Sequence, residues 1–253
     1  MIGASFASFI NVAASSKGSI WKNISRRSSV CEKCGKSLHH WELIPVFGWL
    51  FLQGKCSVCK ERISTFHPVS ELLLGGAFVI LYLNYLDQPL SLVLFSCVTL
   101  GLYFIAVYDV FRRKIPNVFI FPLIIVAAII RFTNWSMIPE YFGGALLYFS
   151  FFFLINVLTV TGLFPGVKKG SKGFGWGDSK FAIFLGLLLG FRGSTISLSL
   201  AIFAGGVIGA ILMLSGSKRG TKIPFAPFLS LGSFIALVWY EEIWDVLMSY
   251  FLI

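Results

Sequence analysis

The chain has 253 residues, of which 57% are hydrophobic and only 13% charged. A globular domain in water carries nearer a quarter of its residues as charges, so this composition excludes an ordinary water-soluble enzyme and points to a polytopic membrane protein. The formal net charge of +10 is not a nucleic-acid signature, because the Lys and Arg residues fall almost wholly in short loops between apolar runs, where they set topology.

The first apolar run, Met1 to Ala14, is rich in small residues and interrupted by Ser5, Ser8 and Asn11. It is shorter than the ~20 residues of a membrane span and reads as a truncated or tilted first helix. No basic region precedes it and no convincing cleavage site follows, so a cleavable signal peptide is not expected. Residues 15–67 are polar and basic, carry four cysteines, and read as one extramembrane module. Residues 68–253 alternate apolar runs with short loops, and spans are expected near 69–86, 90–108, 116–132, 138–163, 178–191, 194–214 and 225–250. With the first run this predicts an all-α protein of about eight transmembrane helices and a small zinc-knuckle module.

Alternate loops hold nineteen of the 21 Lys and Arg residues. They lie in the cysteine module, at Arg112 to Lys114, between Lys168 and Lys180, and between Lys218 and Lys222. Only Arg131 and Arg192 fall on the opposite side. The positive-inside rule therefore makes the cysteine module and those three loops cytoplasmic and sends both termini to the other face.

Cys31-x2-Cys34 and Cys56-x2-Cys59 are two knuckles with twenty-one residues between them. Four thiolates close a tetrahedral zinc site and leave no open position, so the expected zinc is structural. A module this small cannot hold itself together by burial alone, and metal binding supplies folding energy. Cytoplasmic placement argues against disulfides. The three histidines, His39, His40 and His67, read as ordinary polar residues.

Two acids sit at the mouths of apolar runs on that same cytoplasmic boundary. Asp178 lies in Gly175-Trp176-Gly177-Asp178-Ser179-Lys180, and Asp109 is followed by Arg112-Arg113-Lys114-Ile115-Pro116-Asn117. Each has an ordinary explanation: Asp178 as a helix N-cap, Asp109 paired with a neighbouring arginine. Placed together they form a carboxylate dyad, in which like charges cannot both ionise and one proton is shared. The charged member activates water and the neutral one polarises a carbonyl, which is aspartic-protease chemistry without a metal. Gly175 and Gly177 remove side chains beside Asp178 and leave room for a substrate backbone. Glu71, at a cytoplasmic helix start, is either a partner for a basic substrate segment or compensation for the helix dipole.

In this order the motifs resemble the type IV prepilin peptidase family, membrane aspartic proteases of the Gly-x-Gly-Asp kind. The resemblance runs from Ser8-Phe9-Ile10-Asn11-Val12 through the paired knuckles, with Ile44-Pro45 and Gly48-Trp49-Leu50 between them, and Pro68-Val69-Ser70-Glu71. It continues through Asp109 with Ile115-Pro116-Asn117, Gly175 to Lys180, and Ile223-Pro224-Phe225-Ala226-Pro227-Phe228. It implies that Asp109 and Asp178 cleave a short basic leader, just after a glycine, from type IV prepilins or pseudopilins. The place is the cytoplasmic face of the bacterial inner membrane; the partners are those substrates and membrane lipid, not nucleic acid. Many members also N-methylate the new terminus with S-adenosylmethionine. The chain departs at Ala13-Ala14-Ser15-Ser16, where Arg-Leu-Pro is usual, and in lacking a proline after Cys31, departures that bear on methylation more than on cleavage. Without the resemblance, the residues also fit a non-catalytic membrane assembly subunit with a zinc docking module. A proton-coupled transporter fits less well, since such acids sit near mid-membrane, often within inverted repeats.

Overall fold

The computed structural model describes residues 1–15, 30–31, 33–131, 137–163, 176–216 and 223–251. Among them are eight α-helices: α1 (Ile2–Ser15), α2 (Phe47–Phe51), α3 (Phe66–Tyr85), α4 (Pro89–Arg112), α5 (Asn117–Arg131), α6 (Ile138–Thr161), α7 (Trp176–Leu214) and α8 (Ala226–Phe251). A 3-10 turn covers His40–Leu43. Four helices, α3, α4, α6 and α7, are long and apolar enough to cross a membrane, so the chain is a multi-pass membrane protein. The α1 and α5 helices are apolar but have 14 and 15 residues. At 1.5 Å per residue they reach about 21–23 Å, short of a hydrocarbon core of about 30 Å. The α8 helix departs from helical geometry at Trp239.

The chain divides into two compact units, Met1–Leu92 and Val93–Ile253. In the first, α1 lies against α3. A Cβ on Gly3 would fall 2.7 Å from the Leu74 carbonyl oxygen, so the backbones touch where a side chain could not fit. Lower down, Asn11 is fully buried and donates through Nδ2 to Ser70 Oγ at 2.8 Å. A buried amide bonded across helices is the usual use of such a residue inside a membrane.

In the second unit, α7 carries two of the expected runs, divided at Gly190 (φ 70°, ψ −176°), a conformation that requires glycine. The chain folds back at this point. Gly144 of α6 touches Gly186 and Gly190 on one limb, while Tyr148, one turn further along α6, donates to Ser197 Oγ at 2.9 Å on the other. Ser197 and Ser233 of α8 are also 2.9 Å apart, and the three residues form a buried chain across α6, α7 and α8. In the last turn before Gly190, the Leu188 carbonyl accepts from Arg131 Nε, at the end of α5, at 2.6 Å. The Arg131 guanidinium also lies 5.2 Å from the centre of the Tyr141 ring. A cation there satisfies both the hydrogen bond and the negative end of the helix dipole. Arg192 sits 3.9 Å from Glu140, at the start of α6. The two basic residues that charge topology put on the far side thus both lie at the α7 reversal.

The glycine contacts make a sharp prediction. A Cβ at Gly144 would lie 2.5 Å from backbone atoms of Gly186 and Gly190, whereas one at Gly143 would lie 3.6 Å from the Phe191 side chain. Gly144→Ala should destabilise the protein by about 1–3 kcal/mol and Gly143→Ala by much less, read from thermal unfolding in detergent micelles.

Candidate active site and metal centre

Asp109 lies one turn from the end of α4 and is buried. Its Oδ2 accepts the backbone N–H of Ala226, the first residue of α8, at 3.2 Å. The opening of a helix presents unpaired N–H groups and the positive end of the dipole, so an anion is at home there. One turn along α8, Ser230 donates to the Leu102 carbonyl at 3.1 Å. The two bonds tie α4 to α8 in register. The chain then leaves α4 through Arg113, in a left-handed conformation (φ 52°), whose N–H donates to the Asp109 carbonyl at 2.8 Å.

This exit aims the segment Ile115-Pro116-Asn117 at the start of α7. A Cβ on Gly177 would lie 3.1 Å from Ile115 Cβ and 3.4 Å from the Ile115 carbonyl oxygen. The close approach that Gly177 permits is therefore, in this structure, to the chain's own Ile115. A second contact joins the same elements, from Lys180 Nζ to Asn117 Oδ1 at 3.5 Å. With α7 docked in this way, half-buried Asp178, next to Gly177, lies at the helix start that faces the segment after Asp109. Gly175 lies outside the described residues, as does the basic stretch before it.

The cysteine module, in the first unit, repeats one design. The bridges Val30–Ser37 and Lys55–Arg62 each close a knuckle. In the first knuckle the Cys31 N–H donates to Lys36 and the Gly35 N–H to Cys31; in the second the Cys56 N–H donates to Glu61 and the Lys60 N–H to Cys56. The residue four after the leading cysteine has positive φ in both, 69° at Gly35 and 56° at Lys60. Ligand atoms of Cys31, Cys34, Cys56 and Cys59 all lie within 4.8 Å of one another, with Cys31 and Cys59 sulfurs 3.8 Å apart. Four sulfurs about 2.3 Å from a central zinc form a tetrahedron with edges of roughly 3.8 Å, so the cluster has the dimensions of a metal site.

Its electrostatics fit as well. The amides of Val58 and Cys59 hold the Cys56 thiol down at about 6. Those of Cys34 and Lys33 lower Cys31. Cys59 receives the Glu61 amide, but burial and the neighbouring thiols outweigh it and push the thiol up to about 11. Thiols pressed together cannot all ionise by themselves; a divalent cation among them is what allows four thiolates. No histidine joins the group among the described residues.

Two polar contacts brace the knuckles against each other. Lys33 pairs with Glu61. Lys36 of the first knuckle donates to the buried Glu42 at 3.0 and 3.3 Å and to Ser57 of the second. Ser57, the His39 amide and Lys36 together hold the Glu42 carboxyl down to about 2. Glu71 is also buried, and its Oε2 accepts the Val46 N–H at 2.8 Å. Its observed partner is thus a backbone group of its own unit.

Comparison with known proteins agrees with this arrangement. The family described as Bacterial Peptidase A24 N-terminal domain matches residues 1–85, and the Type IV leader peptidase family matches residues 94–210. A prepilin leader peptidase/N-methyltransferase of Pseudomonas aeruginosa is 31% identical, over 87% of this chain and 74% of that protein. The chain belongs to the type IV leader peptidase family. Proteins of the same description from Stutzerimonas stutzeri and Bacillus subtilis are 29% and 31% identical, over 93% and 87% of this chain and 79% and 84% of theirs. No solved structure matches it.

For a member of the leader peptidase family, the sequence motifs included Ala226 and Ile115 but did not reveal the parts played by the Ala226 amide, the Ile115 side chain, or the Lys36–Glu42–Ser57 brace. Only the first had a local signal, since Ala226-Pro227 has proline in the first helical turn and marks a helix start.

Two outcomes are expected. Gly177→Val should depress cleavage of a prepilin at least tenfold, and shortening the opposing side chain with Ile115→Ala should restore part of it, if packing is what Gly177 serves. Cys56→Ser should abolish the thiolate-to-metal charge-transfer absorption that cobalt gives with the wild-type cluster, measured by titrating cobalt into reduced protein.

Proposed function

We propose that this chain is a prepilin leader peptidase that cuts at the cytoplasmic face of the bacterial inner membrane, with Asp109 and Asp178 as the catalytic pair. The observation that supports the reading is the docking of Ile115 on Gly177, which sets the start of α7, where Asp178 lies, against the segment that follows Asp109. The relatives' names, prepilin leader peptidase/N-methyltransferase, point to prepilins as the substrate class, which we extend to type IV prepilins or pseudopilins.

Two carboxylates at short range hold one proton between them. The ionised member takes a proton from water, whose oxygen attacks the scissile carbonyl carbon. The neutral member donates its proton to the carbonyl oxygen, and the resulting diol intermediate collapses as a proton passes to the leaving nitrogen. Asp109 is held by the Ala226 amide. Gly175 and Gly177, which flank Asp178 in sequence, are the substrate-side residues of this reading; at Gly177 the same lack of a side chain also admits Ile115. The two limbs of α7, the shorter helices α1 and α5, and the broken helix α8 bring the crossings to eight.

The four cysteines hold zinc in a structural role, and the ion would supply folding energy rather than a reacting group. The relatives' second activity, methyl transfer, we extend to this chain as N-methylation of the newly exposed terminus by S-adenosylmethionine. The exposed Trp41 and Phe47 of the module could stack on such a cofactor, but Glu42 beside them is already engaged by Lys36 and the His39 amide.

Incubating a prepilin with the purified protein and weighing the substrate's N-terminal peptide tests both activities at once. Asp109→Asn and Asp178→Asn should each reduce cleavage by roughly 10²–10⁴-fold while leaving membrane insertion intact. Retained turnover in both would remove the pair from the mechanism.

A further inference from the structure

Pro45, Val46 and Phe47 make a γ-turn. The Phe47 N–H donates to the Pro45 carbonyl at 2.7 Å, and Val46 has φ 65° and ψ −53°. A γ-turn of this hand is rare and strained, and a β-branched residue is among the worst suited to its centre. Such a conformation persists only where the surroundings over-determine it. Here the Val46 N–H is taken by Oε2 of Glu71, twenty-five residues further on and inside α3. Glu71 is only 5% exposed, and among the described residues no cation is paired with it.

The turn launches α2, and α2 touches both halves of the cysteine module. Gly48 presses on the 3-10 turn: a Cβ there would lie 2.3 Å from the Glu42 carbonyl oxygen. Glu42 in turn binds Lys36 of the first knuckle. Trp49 donates its indole N–H to the Ile63 carbonyl at 3.1 Å and covers Gly54, whose Cβ would lie 2.7 Å from the ring. Both residues flank the second knuckle. A five-residue helix has no stability of its own, so its direction is set by what holds its ends.

We propose that Glu71 is a positioning residue that works as a hydrogen-bond acceptor: it holds the Val46 turn and, through α2, fixes the cysteine module on the membrane helix α3. This assigns Glu71 a task that depends on its oxygen atom rather than on its charge. The part of the claim that concerns cleavage rests on the function proposed above; the structural part does not.

Three variants separate the possibilities. Glu71→Gln keeps an oxygen acceptor and removes the charge. Glu71→Ala removes both. Adding Val46→Gly to Glu71→Ala removes the penalty on positive φ, so the turn can form without its holder. Amide hydrogen exchange is measured on the full, zinc-loaded chain in detergent micelles, over peptides covering 44–52 and 54–63. Glu71→Gln should stay within about threefold of wild type, Glu71→Ala should exchange at least about tenfold faster in both peptides, and the double variant should return most of the way. Cleavage of a basic-leader and a neutral-leader prepilin should follow the same order, with the ratio between the two substrates unchanged. Wild-type exchange in Glu71→Ala, or no recovery on adding Val46→Gly, overturns the proposal. So does Glu71→Gln behaving like Glu71→Ala in exchange, or selectively losing the basic-leader substrate, since either makes charge the operative property. If the wild type cleaves neither substrate, the proposed function fails while the exchange result still decides the role of Glu71.

Discussion

The contact between Gly177 and Ile115 is the constraint on which the carboxylate unit depends. Two acids on different helices are brought together only if the helix openings approach to backbone distance, and a side chain at either surface of contact prevents that. At Gly177 a Cβ would already be crowded against Ile115. The approach is held elsewhere as well. Lys180 reaches Asn117 on the same side, and at the other ends of the same two helices Arg131 bonds the Leu188 carbonyl. Thus α5 is tied to the first limb of α7 at both ends, and Asp178 has its axial position set from two directions.

The energetic logic differs between the two units. In the second, association inside a membrane gains little from the hydrophobic effect, because lipid is as apolar as leucine; close packing and interhelical hydrogen bonds must do the work. Gly144 on Gly186, Gly232 on the Ser197 carbonyl, and the buried Tyr148–Ser197–Ser233 chain are those two devices on the same faces. The module has neither a membrane nor a sizeable core. It relies on repeated knuckle geometry, on Lys36 and Glu42 bracing the two halves, and on thiols whose ionisation a cation would complete.

Much of this was legible in the sequence, because charge and spacing are local. The Cys-x2-Cys repeats predict the four-sulfur cluster, and the charge pattern sets Arg131 and Arg192 apart from the other basic residues, though it does not show that both lie at one reversal of α7. Placement at one boundary leads to the expectation that the two acids pair, but the docking of their segments has no signal: nothing local identifies Ile115 as the surface that Gly177 needs. The count of crossings was legible only in part. Four helices qualify by length and composition, while the remaining apolar runs are too short or broken, since partners within the fold can complete what a short helix leaves unsatisfied. Glu71 shows the limit most clearly. Its position at a helix start suggests a role for its charge, whereas its partner, the Val46 amide, depends on a turn that no propensity rule would assign to Ile44-Pro45-Val46-Phe47.

The distribution of strained residues follows from the same difference between the units. Among the described residues, non-glycine positive φ occurs at Val46, Gln53, Lys60 and Arg113. Three of the four fall in the small module, where burial has least to spare. Each conformation there is tied to an outside constraint: Val46 to the carboxylate of α3, Lys60 to the fold of a knuckle whose cysteines converge on one point, Gln53 to the short return from α2 into that knuckle. The fourth, Arg113, ends α4 immediately after the acid and turns the chain toward Gly177. Strain of roughly 1–3 kcal/mol per residue is sustainable only where a metal, a membrane helix or a docked loop fixes the neighbours. Substitutions that relieve it should therefore be tolerated for folding and felt first in geometry, at the Val46 turn for the module and at Arg113 for the placement of Ile115.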